Sequence, residues 1–386
     1  MRHAAAGAVS RTRGQRALQD QHHIEPALRT RIRRKLLRWY DRNRRDLPWR
    51  HRAHDPYAQW VAEIMLQQTR VETVLAYYDR FLRRFPDIAA LAVADHEDVV
   101  KRWEGLGYYR RILHLHRAAK LIHERGGGVP TSAAELQRLP GVGAYTAAAI
   151  ASIAFGEKAA AVDGNVARVL ARLFGVTCDV LSTPGKRRIH DLATQLLAPG
   201  RPGDFNQAWM DLGSSTCTPR SPHCARCPLK ADCVATRTGC AASLPHRGTS
   251  RNNRRPKVDI VVGIFVHKHK VLMQRRPTGG LWSSLWEFPN FERNDAAAPA
   301  RLVRRLASDN NLRITARLRR TATVKHELSH RSLTFHVYVT DVELDPVHSC
   351  NSASLRWVTG RGLRRLAIST AYRKILAASP LTPLPA

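Results

Sequence analysis

LPGVGAYTAAAIASIAFGEKAAAVD, from Leu139 to Asp163, sets a glycine hairpin, a helix and a lone carboxylate side by side. Gly141 and Gly143 flank Val142 just ahead of an alanine-rich run, Ala144 to Phe155, that contains no breaker. Two positions without a Cβ at a tight turn leave backbone N–H groups able to face an anion, with the positive end of a helix dipole behind them. Upstream, Ser132 to Leu139 reads as a short helix stopped by Pro140. The segment therefore predicts helix, hairpin, helix, able to grip an anion such as a phosphate with Asp163 beside it. Taken alone, PGVG serves equally well as a plain interhelical turn, so other features must separate the two readings.

Charge is the first of these. Lys and Arg number 63 against 31 Asp and Glu, a net charge of +32, and such a field suits a polyanionic partner, with nucleic acid as the default. Genome base composition can enrich Arg and Ala, but it does not explain bases outnumbering acids twofold. A membrane surface is the rival polyanion. No apolar run approaches the length of a spanning helix, and no signal-type apolar core follows Met1. The expectation is a soluble chain of the bacterial cytoplasm, associated with the nucleoid and not with a membrane.

A length of 386 residues suggests two or three domains. Residues 1–28 are basic, small and aperiodic, and read as a disordered arm. Over 29–235 the periodicity is helical. Asp55-Pro56 is a cap followed by a first-turn proline, Tyr57, Trp60, Val61, Ile64 and Met65 form an apolar face, and Val166, Val169, Leu170, Leu173 and Phe174 form another. Residues 236–257 are polar, basic and broken by Pro and Gly, which marks a linker. After it the period changes to two: VDIVVGIFVHKHKVLMQRR reads as a hairpin and SLTFHVYV as a further strand. Residues 258–378 are thus an α+β domain, and 379–386 a tail.

Four of the seven cysteines, Cys217, Cys224, Cys227 and Cys233, follow the spacing C-x6-C-x2-C-x5-C. Four thiolates so close can hold one metal centre, and a disulfide framework does not fit a chain without a secretion signal. Zinc is a rival, but structural zinc sites usually use two separated C-x2-C knuckles. A single compact loop, 217–233, favours a [4Fe–4S] cluster.

Hairpin, aspartate and cysteine loop together resemble the helix-hairpin-helix DNA glycosylases of the endonuclease III superfamily. WVAEIMLQQTRVETV (Trp60–Val74), EGLGYYRR (Glu104–Arg111) and the appended α+β domain narrow the resemblance to adenine DNA glycosylases of the MutY type. It spans about Trp39 to about Ala378. What it implies is a multidomain fold: an all-α helix-hairpin-helix glycosylase domain with a [4Fe–4S] loop, plus a C-terminal α+β domain like MutT and other Nudix proteins. The implied activity is release of adenine mispaired with 8-oxoguanine or guanine in double-stranded DNA, by a monomer. Bifunctional relatives carry lysine where this chain has Tyr145, and that amine forms a Schiff base with the sugar; with Tyr145 the implied activity stops at an abasic site. Glu63, among Trp60, Ile64 and Leu66, is implied as the acid, since desolvation would raise its pKa. Asp163 reads both as an N-cap and as electrostatic support for a cationic sugar, with covalent attack left open. Tyr145 and Asn165 are implied to hydrogen-bond to Asp163 and the sugar region. The resemblance further implies Gln68 and Tyr108 as residues that fill the gap left by a flipped base, Leu66 as an apolar contact to that base, and Arg50 and Asp211 as pocket residues. Gly141, Val142 and Gly143, together with Arg220 and His223 in the cysteine loop, are expected at phosphate.

The C-terminal domain contains two motifs that mislead. WEFP (Trp286–Pro289) resembles the Nudix fold, whose hydrolases hold magnesium through carboxylates. Where their acidic helix is expected this chain reads RRLASDNNL, Arg304–Leu312, with Arg305 and Ser308 replacing two acids and Asp309 shortening a third. Hydrolysis is not expected, and the domain is implied to read 8-oxoguanine instead. HELSH, His326–His330, is a literal H-E-x-x-H, but zinc binding by that motif needs a helix, and strand-like segments flank it here. Within the resemblance it falls on a lesion-probing loop, with Ser329 and His330 as the polar pair and Leu328 in place of phenylalanine. Two other readings compete: an endonuclease III-like glycosylase and lyase, and a catalytically silent iron–sulfur DNA-binding protein.

Overall fold

The computed structural model describes residues 23–246, 248, 255–293, 298–344 and 354–379. In chain order the helices are α1 (Pro26–Asn43), α2 (Pro56–Leu66), α3 (Val71–Arg84), α4 (Ile88–Val93), α5 (His96–Arg102), α6 (Arg110–Glu124), α7 (Ala133–Leu136), α8 (Ala144–Ala154), α9 (Gly164–Phe174), α10 (Thr183–Leu196), α11 (Pro202–Ser215) and α12 (Val234–Arg237). Among the described residues eight strands follow: β1 (Lys257–His267), β2 (Lys270–Arg275), β3 (Trp286–Glu287), β4 (Asn290–Glu292), β5 (Leu312–Ile314), β6 (Arg319–Glu327), β7 (Ser332–Leu344) and β8 (Leu355–Val358). Helix α13 (Pro299–Asp309) precedes β5, and α14 (Gly360–Arg365) and α15 (Thr370–Ala378) follow β8. None of the described helices is long and apolar enough to cross a membrane.

Contacts divide the chain into two compact units. One runs to Ile64 and resumes over Gly126–Ser250; the other is Met65–Arg125 with Arg251–Ala386. This grouping cuts across the division read at residues 236–257. Polar ties inside the second unit supply the reason: Lys101 Nζ donates to the Leu366 carbonyl at 2.9 Å, and Arg356 meets Glu97 at 3.3 Å.

In the first unit, residues spaced by three and four bury one stripe of each helix. Ile32, Leu36 and Tyr40 of α1 meet Val169, Leu170 and Leu173 of α9, Ile189, Leu192 and Leu196 of α10, and Phe205, Trp209 and Leu212 of α11 in one core. The arm expected over 1–28 lies outside the described residues as far as position 22. Beyond it the expectation needs correction, because Ile24 is buried and Pro26 opens α1. A proline in the first turn loses no helical hydrogen bond. The first half of the expected linker is packed too: Leu244 is buried and its carbonyl accepts from Arg172 Nε at 2.9 Å.

The second unit contains a mixed sheet of order β3-β2-β1-β7-β5. The expected hairpin is β1–β2, pairing His267 with Lys270, and β1 runs parallel to β7 from Lys257↔Ser332 to Val266↔Asp341. Alternation sends Ile260, Val262 and Ile264 to a face covered by Ala371, Tyr372 and Ile375 of α15. Val261 and Phe265 go to the other face, under Val303, Leu306 and Ala307 of α13. With helices on both faces the strands read as continuous apolar runs.

Candidate active site

Helix α2 starts where Asp55 Oδ1 caps the Ala58 N–H at 2.9 Å. Trp60, Val61 and Ile64 are buried around Glu63, itself 5% exposed, and Glu63 Oε2 lacks a hydrogen-bond partner. Burial pushes the Glu63 carboxyl up to about 7; the Asp163 charge adds to the rise, while a hydrogen bond from Tyr145 and the charge of Arg50 oppose it. Arg50 is fixed in turn. Its Nη1 donates to Asp211 Oδ2 at 2.8 Å and to the Arg45 carbonyl at 2.9 Å, and its Nε donates to Gln207 Oε1 at 2.9 Å. Asp211 is 1% exposed and also takes Arg45 Nε at 2.8 Å. It therefore anchors two guanidiniums and is not a free acid in the pocket.

Asp163 performs the capping role that its position suggests. Oδ1 accepts the Val166 N–H at 2.7 Å, capping α9, and Oδ2 accepts Asn165 Nδ2 at 2.9 Å. The Asn165 amide cannot turn over, because its Oδ1 takes Arg168 Nη2 at 2.9 Å, and Arg168 also holds the carbonyls of Gly213 (2.7 Å) and Cys217 (2.9 Å). Gly213 makes room for this: a Cβ there would sit 2.7 Å from the Asn165 Cβ. The expected bond from Tyr145 to Asp163 is absent. The phenol oxygen instead lies against Glu63 and 3.6 Å from Met210 Sδ, with one O–H to share between them, and burial drives its pKa well up. Two carboxyl groups of unlike character thus share one site: one desolvated and able to hold a proton near neutrality, the other an acceptor with both oxygens engaged by N–H groups.

The hairpin beside them needs its glycines unequally. Gly141 has φ 78°, a left-handed conformation that favours glycine. Gly143 is extended at φ −86°, and the space where a Cβ would lie is open. Val142 contributes packing: its side chain is buried and its N–H is spent on the Leu139 carbonyl at 3.2 Å. What remains for an anion is the start of α8, where Gly143 supplies no side-chain cap.

Cys217, Cys224, Cys227 and Cys233 are all free thiols. Burial pushes Cys227 up to about 11, and the nearby Cys217, Cys233 and Cys224 add to it, so all four lie within electrostatic reach of one another. Among the described residues no trio of His, Cys, Asp and Glu is drawn tight enough for a single ion. Arg172, 2% exposed, braces the loop through the carbonyls of Thr218 (2.7 Å) and Pro219 (2.9 Å) and reaches Cys217 Sγ at 3.4 Å. Arg31 and Lys35 of α1 both hold Asp232 at 2.8 Å. Arg220 and His223 are exposed.

The second unit holds the residues expected to fill a flipped-base gap. Gln68 (φ 56°) and Tyr108 (φ 47°, 47% exposed) both adopt left-handed backbone, which is uncommon for such side chains and typical of functional loops. Buried Arg111 staples the two segments, donating to the carbonyls of Met65 (2.8 Å), Gln67, Leu106 (3.2 Å) and Gly107 (3.1 Å). Leu66 closes α2 half-buried, and Tyr109 is core. His326 and Glu327 end β6, and a turn closed by Leu328 N–H to the Arg331 carbonyl (2.8 Å) follows, so HELSH lacks the helix a zinc site requires. Ser329 and His330 are exposed. Leu328, expected to probe DNA, packs its side chain against the core of the sheet instead.

Residues 61–199 match the family profile described as HhH-GPD superfamily base excision DNA repair protein, and residues 260–378 match the NUDIX domain profile. The chain is 37% identical to the adenine DNA glycosylase of Rattus norvegicus, over 90% of this chain and 77% of that one. It is 31% identical to the adenine DNA glycosylase of Buchnera aphidicola subsp. Baizongia pistaciae, over 88% of this chain and 94% of that one. The chain belongs to the adenine DNA glycosylases. Among solved structures, a thermostable thymine-DNA glycosylase is similar to this adenine DNA glycosylase family member at a TM-score of 0.51 and 31% identity, covering 55% of this chain and 98% of the other.

Several residues that build this glycosylase site carry no motif. Arg168 and Arg172 stand four apart in GNVARVLARLF, an otherwise apolar helix. Two arginines on adjoining turns of such a helix were the available signal, because a buried guanidinium must find several acceptors. Arg45 and Gln207 gave none, and Arg111 stood in EGLGYYRR without any sign of its burial.

Proposed function

We propose that this enzyme hydrolyses the N-glycosidic bond of adenine mispaired with 8-oxoguanine, or with guanine, in double-stranded DNA, and that it leaves an abasic site without cutting the strand. The observation that carries the reading is the pairing of Glu63, raised to about 7 by burial, with Asp163, whose oxygens accept from Val166 and Asn165. Adenine leaves only when a ring nitrogen gains a proton, and the sugar left behind passes through an oxocarbenium-like state. Glu63 supplies the proton and Asp163 faces the cation. Arg50 keeps Glu63 from rising further, so the proton can still be given up. No lysine stands at position 145, so the amine that would carry a Schiff base is missing.

Supporting the DNA partner are the net charge of +32, the uncapped start of α8 and the exposed Arg220. Tyr108 and Gln68 are assigned to the space left by the flipped adenine, and the Ser329–His330 turn to the 8-oxoguanine opposite. Because Leu328 is turned to the core, the polar pair carries that recognition without an apolar wedge.

Cys217, Cys224, Cys227 and Cys233 are assigned to a [4Fe–4S] cluster, whose part is to brace the loop carrying Arg220. Four free thiols within mutual electrostatic reach fit such a cluster, and Arg172 beside Cys217 offsets the charge of bound thiolates. Anaerobic iron and sulfide analysis should return four irons per chain; stoichiometric zinc without iron would overturn the assignment.

A duplex with one A opposite 8-oxoguanine, analysed with and without hot alkali, tests the reaction. Cleavage only after alkali is the expected outcome. Breakage without alkali would mean a lyase, and intact DNA under both treatments a silent binder.

A further inference from the structure

Glu104 opens the loop that carries Tyr108, and three partners hold it. Its Oε1 accepts Arg373 Nε at 2.6 Å, and its Oε2 is paired with Lys101. Its backbone carbonyl accepts the Tyr77 hydroxyl at 3.0 Å. Gly105 follows with φ 103°, and any Cβ there would overlap that same hydroxyl. The carboxylate is only 18% exposed. A loop fixed this firmly at residue 104 has little freedom by residue 108, because Arg111 also holds the carbonyls of Leu106 and Gly107 from below. None of these contacts touches Glu63 or Asp163.

Arg373 belongs to α15. Ala371, Tyr372 and Ile375 of that helix share one core with Val324 of β6, and Leu328, just past the end of β6, packs against the same core. Arg373 Nη2 further donates to the Leu366 carbonyl at 3.2 Å, and Lys101 reaches the same carbonyl at 2.9 Å. Packed side chains therefore run from Leu328, at the base of the Ser329–His330 turn, through α15, and the Arg373 ion pair carries the connection on to Glu104 and the Tyr108 loop. In a chain with twice as many bases as acids, a half-buried glutamate committed to two cations is a specific contact.

We propose that Arg373 is a positioning residue: through Glu104 it sets the turn that meets 8-oxoguanine in register with the loop that meets the adenine strand. The proposal rests on the mispair reading above. One lesion then has to satisfy two loops whose separation is fixed, and a normal guanine fails at one of them. Contacts of this kind act on discrimination more than on base release itself.

The test compares single-turnover adenine release opposite 8-oxoguanine and opposite guanine for wild type, Arg373→Met and Arg373→Lys. Methionine keeps the stem and removes the charge; lysine restores the charge without the fork. The expected result is a preference for 8-oxoguanine reduced about fivefold or more in Arg373→Met, with release opposite guanine within about twofold of wild type and much of the preference regained by lysine. A circular-dichroism melt shows that each variant is folded at the assay temperature, and the lysine variant carries the comparison if methionine is not. An unchanged preference in Arg373→Met overturns the proposal, as does an equal fall on both substrates, which marks a merely structural role. A wild-type enzyme without any preference for 8-oxoguanine overturns the underlying mispair reading and the proposal with it.

Discussion

Asp163→Asn is expected to bind mismatched duplex as wild type does and to release adenine roughly a thousandfold more slowly, or not at all. The reason lies in the two hydrogen bonds that Asp163 accepts, from Val166 N–H and Asn165 Nδ2. Asparagine is as good an N-cap as aspartate, so its oxygen can keep the Val166 bond and α9 stays capped. Its amide nitrogen then faces Asn165 Nδ2, donor against donor, while Arg168 prevents Asn165 from flipping to relieve the clash. The negative charge that would face the oxocarbenium-like sugar is gone. Fold and binding survive and chemistry does not, a combination read by single-turnover kinetics beside a binding titration. Retained release would remove Asp163 from its assigned role.

Glu63→Gln is the second large effect, a loss of about a hundredfold to ten-thousandfold in base release. The side chain is buried with Oε2 unpartnered, so the amide keeps shape and volume, and what disappears is the proton. Sign matters here. Burial raises Glu63 above its ordinary value, so between the ordinary range and about 7 the folded protein holds a proton that a solvated glutamate would have lost. The acid is therefore loaded below about 7 and unloaded above it. Release by wild type should fall toward tenfold per pH unit on the alkaline side, whereas the glutamine variant has no such proton to lose.

Much of this site is legible in the sequence. The spacing of Val166, Val169, Leu170 and Leu173 placed α9, and Asp163 ahead of it read as the cap that it is. Period-two alternation placed the β1–β2 hairpin. The carboxyl pair was reached by resemblance, since Glu63 and Asp163 are a hundred residues apart and spacing alone cannot join them. Side-chain direction was not legible. Tyr145 turns to Glu63 and Met210, Leu328 turns to the core, and Gly143 is extended with open space beside it, although the sequence places it in a tight turn. Each depends on which neighbour the fold supplies. The buried arginines follow the same logic: Arg111, Arg168 and Arg172 satisfy carbonyls in other segments, and periodicity registers which face is apolar but not which loop lies beneath it.

On this mechanism, Glu63 holds the proton that adenine needs. Single-turnover release from an A opposite 8-oxoguanine, followed across pH for wild type and Glu63→Gln, measures it. The wild-type rate should be level on the acid side and fall above about 7, with a low, pH-independent rate in the variant. A wild-type rate rising through that range, or a variant as fast as wild type, would contradict it.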